Sequence, residues 1–112
     1  MPPLRNGRTG AVLARRVAFA KTPGARAIAL LARDVLRSDD GVWLEECSEI
    51  DTYGMRAPLD IFFLDAANRV VAAHLAIAPN HRAIRCPRAS SAVQLGSASE
   101  RDVRPGDVLE LD

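Results

Sequence analysis

The sequence predicts a mainly β protein: a compact β-barrel or β-sandwich of about seven short strands, with one α-helix inserted after the first strand. Three observations carry this. Apolar runs of strand length recur along the chain, bounded by clusters of Gly, Pro, Asn, Asp and Ser. Only the stretch from Pro23 to Leu36 repeats its apolar residues at helical spacing. Strands and helices do not alternate, as a βαβ fold would require.

Met1 to Gly10 holds two prolines, two arginines and two glycines but no apolar segment. Residues 1–10 are therefore expected to form a flexible tail, ahead of a single β-rich domain over 11–112. In Val12 to Ala20, Val17 and Phe19 alternate with Ala18 and Ala20, the period of a half-buried first strand. Thr22 and Pro23 supply a cap and a first-turn proline. Ile28, Leu31 and Val35 follow at helical spacing, which predicts the helix over Pro23 to Leu36. Ser38-Asp39-Asp40-Gly41 is a turn cluster, and Val42-Trp43-Leu44 behind it reads as a strand entering the core, with Trp43 a core residue.

Leu59 to Leu64 is apolar except for Asp60, and after Asp65-Ala66-Ala67-Asn68-Arg69 the apolar run resumes over Val70 to Ile77. The pair predicts a β-hairpin with Asn68 in the left-handed position, which its short polar side chain tolerates. His74 is expected to face solvent. Ala92 to Leu95 is a further strand. Ser97 and Glu100 have capping-box spacing for one helical turn, Arg104-Pro105-Gly106-Asp107 forms a tight turn, and Val108 to Leu111 alternates as a closing strand.

At 112 residues the chain fits one domain, and a balance of 48% hydrophobic and 26% charged residues is that of a globular protein. A formal net charge of +1, with no concentrated basic segment, argues against nucleic acid as a partner. No stretch approaches the roughly 20 apolar residues of a membrane span. With no apolar leader segment and only two cysteines, Cys47 and Cys86, the expected setting is the cytoplasm with both cysteines as thiols. Pairing of edge strands leaves a monomer or a weak dimer open.

The run Cys47-Ser-Glu-Ile-Asp-Thr52-Tyr-Gly-Met55-Arg-Ala-Pro58-Leu-Asp60-Ile-Phe-Phe-Leu64-Asp65, with Asn68-Arg69-Val70-Val71 after it, resembles the bacterial and archaeal domain of unknown function 192 family. The likeness spans nearly the whole chain, centred on Met-x-x-Pro-Leu-Asp. It implies a compact, mostly β domain with no established reaction or cofactor. The chain departs from the family pattern at Asp51, where a histidine is common, and at Ala27-Ile28-Ala29-Leu30, where glycine followed by leucine and methionine is usual.

Pro58 forces Ala57 toward an extended conformation, so Met55 and Asp60 flank a bend. Asp60 sits among apolar residues, and the favoured reading is structural: it accepts backbone N–H groups or an arginine such as Arg56. Cys47, Asp51, His81 and Cys86 are metal ligands by type, but their spacing matches no metal motif and no cofactor is called for. The bend before the hairpin and the loop after it are expected to share a rim. Its candidate binding residues are Asp51, Thr52, Tyr53, Met55, Arg56, Asp60, Asn80, His81 and Arg82.

These residues predict a non-catalytic binding or accessory module that engages a protein partner or a small polar ligand. The alternative is a small hydrolase-like enzyme for a carbohydrate or acyl substrate, with Asp51 or Asp60 as acid or base and Cys47 as a reactive thiol.

Overall fold

The computed structural model of the chain describes residues 2–21 and 36–112. Ten strands form among them: β1 (Leu4–Asn6), β2 (Val12–Ala14), β3 (Arg16–Ala20), β4 (Asp40–Glu45), β5 (Glu49–Ile50), β6 (Leu59–Leu64), β7 (Val70–Ile77), β8 (Ile84–Arg85), β9 (Ser91–Gly96) and β10 (Leu109–Leu111). They build three sheets, with strand orders β10-β1-β2, β3-β4-β9-β6-β7 and β5-β8. The fold is mainly β, as expected. The helix expected over Pro23 to Leu36 lies outside the described residues except for Leu36, which packs against the core without forming a helix.

The expected barrel does not close among the described residues, because the five-stranded sheet keeps β3 and β7 as separate edges. The outer side of β7 begins by pairing elsewhere. Val70 donates its N–H to the Asp107 carbonyl at 2.7 Å and accepts from Gly106, and Arg69 bridges Val108. That contact, together with two irregularities in the β6–β7 register, turns the edge away from further strand pairing.

β6 and β9 lie inside the large sheet, and every one of their residues is buried. A strand covered on both faces has no need to alternate, which is why Leu59 to Leu64 reads as a continuous apolar run. On one face Val17, Trp43, Phe62, Val93 and Leu95 meet Leu4, Leu13, Ala14 and Leu109 of the three-stranded sheet. On the other face Leu44, Leu59, Ile61 and Phe63 meet Cys47, Ile50, Met55 and Cys86. Trp43 is a core residue, as read. His74 differs from expectation: it is partly buried, with its ring edge-on to Phe63 at 5.9 Å.

The hairpin is present, with Asn68 at φ 62. The Asp65 carboxylate accepts the N–H groups of Ala67 and Arg69 at 2.9 and 3.0 Å, so the loop supplies its own acceptors. Asn68→Ala places a Cβ in the left-handed region without the polar compensation, and a loss of about 1 kcal/mol is expected. Asn68→Gly should show no loss, and urea unfolding of the two variants measures the difference.

Three local expectations change. Val12 to Ala20 is not one strand, because the amides of Arg15 and Arg16 both donate to the Asp39 carbonyl, at 2.9 and 3.0 Å, and the chain bends there from one sheet into another. Leu4–Asn6, inside the stretch read as a tail, is a strand paired to both β2 and β10, with Leu4 fully buried. No helical turn forms at Ser97 to Glu100. The Ala98 N–H is committed to the Asp60 carboxylate and Glu100 takes φ 62, outside the helical region.

The expected turn at Arg104 to Asp107 is present, with Asp107 N–H donating to the Arg104 carbonyl at 3.1 Å. Its buried Asp107 carboxylate accepts Asn6 Nδ2 at 2.9 Å, Arg8 Nε at 2.6 Å and the Arg104 amide at 2.9 Å. These bonds, the Arg8 guanidinium first, hold the Asp107 carboxyl well below the usual carboxylate range, against the opposing effect of desolvation. The unfolded chain, with an ordinary value near 3.9, takes the proton more readily. This contribution to stability is therefore complete above about pH 4 and is lost as pH falls from there through the folded value. Urea midpoints of the wild type measured between neutral pH and pH 3 should decline, and Asp107→Asn should start lower and decline less.

Candidate functional site

Thr52 explains how two separate loops become one rim. It is fully buried, and all its polar groups face residues 78–81. Its N–H donates to the His81 carbonyl at 2.9 Å and its carbonyl accepts the Asn80 N–H at 3.0 Å. Its hydroxyl donates to the Ala78 carbonyl at 2.9 Å and accepts the His81 N–H at 2.8 Å. The loop at 51–55 is thus fastened to the loop at 78–82. Below the rim, Glu49 pairs with Arg85 and Ile50 with Ile84.

The turn itself follows from local chemistry. The Asp51 carboxylate accepts the Tyr53 N–H at 3.2 Å, and the Met55 N–H closes a turn onto the Thr52 carbonyl at 3.2 Å. Gly54 takes φ 77 at the third position of that turn, where a side chain would be strained. Met55 is 6% exposed and packs into the second core, so it anchors the turn rather than lining a surface. Tyr53 is pushed outward, 46% exposed.

Arg82 comes from the opposite loop. Its guanidinium carbon lies 4.8 Å from the Tyr53 ring centroid and its Nε donates to the Tyr53 hydroxyl. Glu49, Asp51, Tyr53, Arg82 and Ala83 line an open cleft of about 340 Å³. Of the nine residues expected on the rim, Asp51 and Tyr53 meet Arg82 at this cleft. Thr52, Asn80 and His81 build its base through the backbone bonds above. Arg56 is exposed and does not line the cleft.

Asp60 belongs elsewhere. It is 1% exposed and accepts the N–H groups of Ala76 at 2.8 Å and Ala98 at 3.3 Å and a charged bond from Arg101 Nη1. The structural reading of Asp60 therefore holds, with Arg101 in the place offered to Arg56. Arg101, its side chain 4% exposed, also donates to the carbonyls of Gly96, Leu13 and Ser38, each at 2.9 Å. One ion pair joins β2, the turn before β4, β6, the bulge in β7 and the end of β9. No spacing in the sequence announces Arg101, which lies in a polar stretch after β9.

A second cleft of about 360 Å³ opens over this ion pair, between Thr9, Leu13, Ser38, Asp39, Ser99 and Arg101. Its charges other than Glu100 are committed. Arg101 holds Asp60, Asp39 lies 3.8 Å from Arg15, and Asp102 accepts from Arg8 at 3.0 Å. The cleft beside Tyr53 is the candidate site because its cation and its aromatic ring both stand in solvent.

Cys47 and Cys86 are buried thiols in the second core, 1% and 7% exposed. Cys47, Asp51, His81 and Cys86 do not assemble, and among the described residues no group of three or more His, Cys, Asp or Glu side chains is placed to hold a metal ion. Among the described residues no helix is long and apolar enough to cross a membrane.

Comparison with known proteins adds a family and a fold. No curated protein matches the chain. It superposes on a protein of unknown function from Novosphingobium aromaticivorans with a TM-score of 0.77, at 21% identity over 96% of this chain and 83% of that one. It also superposes on a Sinorhizobium meliloti protein named as a proposed transcription regulator, with a TM-score of 0.78, at 20% identity over 98% of this chain and 92% of that one. Identities this low establish a shared fold and nothing about activity. The family described as "DUF192: Uncharacterized ACR" matches residues 5–111, the same central motif included, and the chain belongs to that family.

Proposed function

We propose that this protein is a non-catalytic binding or accessory module, and that the cleft between Tyr53 and Arg82 receives a small polar ligand. One observation carries the reading: two loops locked together through Thr52 hold an exposed aromatic ring and an exposed guanidinium over an open cleft. Exposed recognition groups on a rigid base are what a binding site needs, since little ordering is left for the ligand to bring about. Of the residues the enzyme alternative names, only Asp51 stands at the cleft. Asp60 is fully engaged with Arg101 and two amides, and Cys47 is buried in the core.

The test is an amide-resolved NMR screen with small polar compounds on the wild type and on the variant Tyr53→Ala, Arg82→Ala. Binding compounds should shift the amides of Tyr53, Gly54, Arg82 and Ala83, and the shifts should vanish in the variant. Both side chains are exposed, so the variant should keep the wild-type unfolding free energy within about 0.5 kcal/mol. A screen in which no compound moves those amides, or in which the variant binds as well, overturns the reading.

A further inference from the structure

We infer that the ligand of the Tyr53–Arg82 cleft is a neutral polyhydroxylated ring, of the saccharide class. The inference rests on the binding-module reading above and narrows it. The walls of the cleft carry opposite charge. Two carboxylates, Asp51 and Glu49, and one guanidinium, Arg82, line it, and Glu49 also pairs with Arg85 at 3.1 Å. A simple anion meets the carboxylates, and a simple cation meets Arg82, so neither sign of charge is favoured.

What remains is a set of groups that together match a sugar. Each carboxylate is an acceptor with about four lone-pair positions, so Asp51 and Glu49 can accept hydroxyl protons in addition to the bonds they already make. Arg82 uses Nε on the Tyr53 hydroxyl, and its two terminal nitrogens make no bond among the described residues. They are donors available to a ligand's oxygen atoms. Arg82 lies over one face of the Tyr53 ring, and the surface that leaves the residue 46% exposed is what the ring offers to the C–H face of a pyranose. The space of about 340 Å³ is at the small end of ligand sites and suits one or two sugar rings.

A zwitterion such as an amino acid also carries both charges, but its binding would rest on exposed ion pairs, which contribute little in water. A sugar instead uses the aromatic face, the one large apolar surface the cleft presents. This makes Tyr53 the discriminating residue. Its ring is the platform, whereas its hydroxyl only positions Arg82.

The experiment is an NMR titration of the full chain with glucose, galactose, N-acetylglucosamine and cellobiose, with glycine and acetate in parallel as zwitterionic and anionic probes. At least one saccharide should shift the amides of Tyr53, Gly54, Arg82 and Ala83. Tyr53→Ala should weaken that saccharide about tenfold or more, while Tyr53→Phe, which keeps the ring, should retain most of the affinity. If glycine or acetate shifts these amides and no saccharide does, the saccharide inference fails while the binding-module reading stands. If none of the six probes shifts them, the saccharide inference fails, and the broader screen described above decides the binding-module reading separately. Equal weakening by Tyr53→Phe and Tyr53→Ala also overturns the inference, since the ring would then not be the platform.

Discussion

Arg101→Met is expected to lower stability by about 3–5 kcal/mol, the range for breaking one side of a buried ion pair. The effect is large because Asp60 is left 1% exposed with a charge and only two amide donors, while the carbonyls of Leu13, Ser38 and Gly96 lose their shared partner. For a domain of this size that is a large share of a total of about 5–15 kcal/mol. Urea unfolding monitored by Trp43 fluorescence measures it. The double variant Asp60→Leu, Arg101→Met should recover part of the loss, because no uncompensated charge is then buried. A cost below about 1 kcal/mol for Arg101→Met would show that the pair does not organise the fold in the way argued.

Phe62→Ala should cost a similar amount, about 3–5 kcal/mol, as expected for removing a fully buried aromatic side chain from a close-packed interior. Phe62 is 0% exposed and belongs to the core shared by the five-stranded and three-stranded sheets. Phe63→Ala should cost about as much through the opposite core, the one that supports Met55 and the rim. The two variants therefore separate by readout. Amide shifts at Tyr53 and Arg82 should change with Phe63→Ala and stay near wild-type values with Phe62→Ala. Identical patterns would mean that the two faces of the sheet are not independent cores.

The central sheet also explains why Gly96 ends β9. A Cβ at that position would lie 2.1 Å from the Arg37 carbonyl oxygen, backbone against backbone. The close approach brings Ser38 and Gly96 near enough for Arg101 to hold both carbonyls. Packing at this point and the ion pair are one arrangement, which places the largest mutational effects around Asp60 and away from the Tyr53 cleft. A protein built this way can vary its rim while its clamp stays in place.

The parts legible in the sequence were those in which near neighbours along the chain decide the outcome. The β6–β7 hairpin depends on Asp65 and Asn68, and the Arg104–Asp107 turn on Pro105 and Gly106. The joining of the two rim loops was also readable, since both flank the same hairpin. Elements of two or three residues were not. β5 and β8 are too short for any periodicity, and β1 was hidden in a stretch whose prolines and glycines suggested a tail.

The amino-acid sequence alone determined the β character, the hairpin, the buried Trp43 and the family, because alternation, turn chemistry and a motif of adjacent residues are local properties. Tertiary structure alone decided that Asp60 pairs with Arg101, 41 positions away, that the large sheet stays open among the described residues, and that Met55 turns inward while Tyr53 turns out. The physical reason is the same in each case. A buried charge takes whichever donor the packed chain brings to it, and a side chain faces solvent or core according to what lies on the other side of its strand.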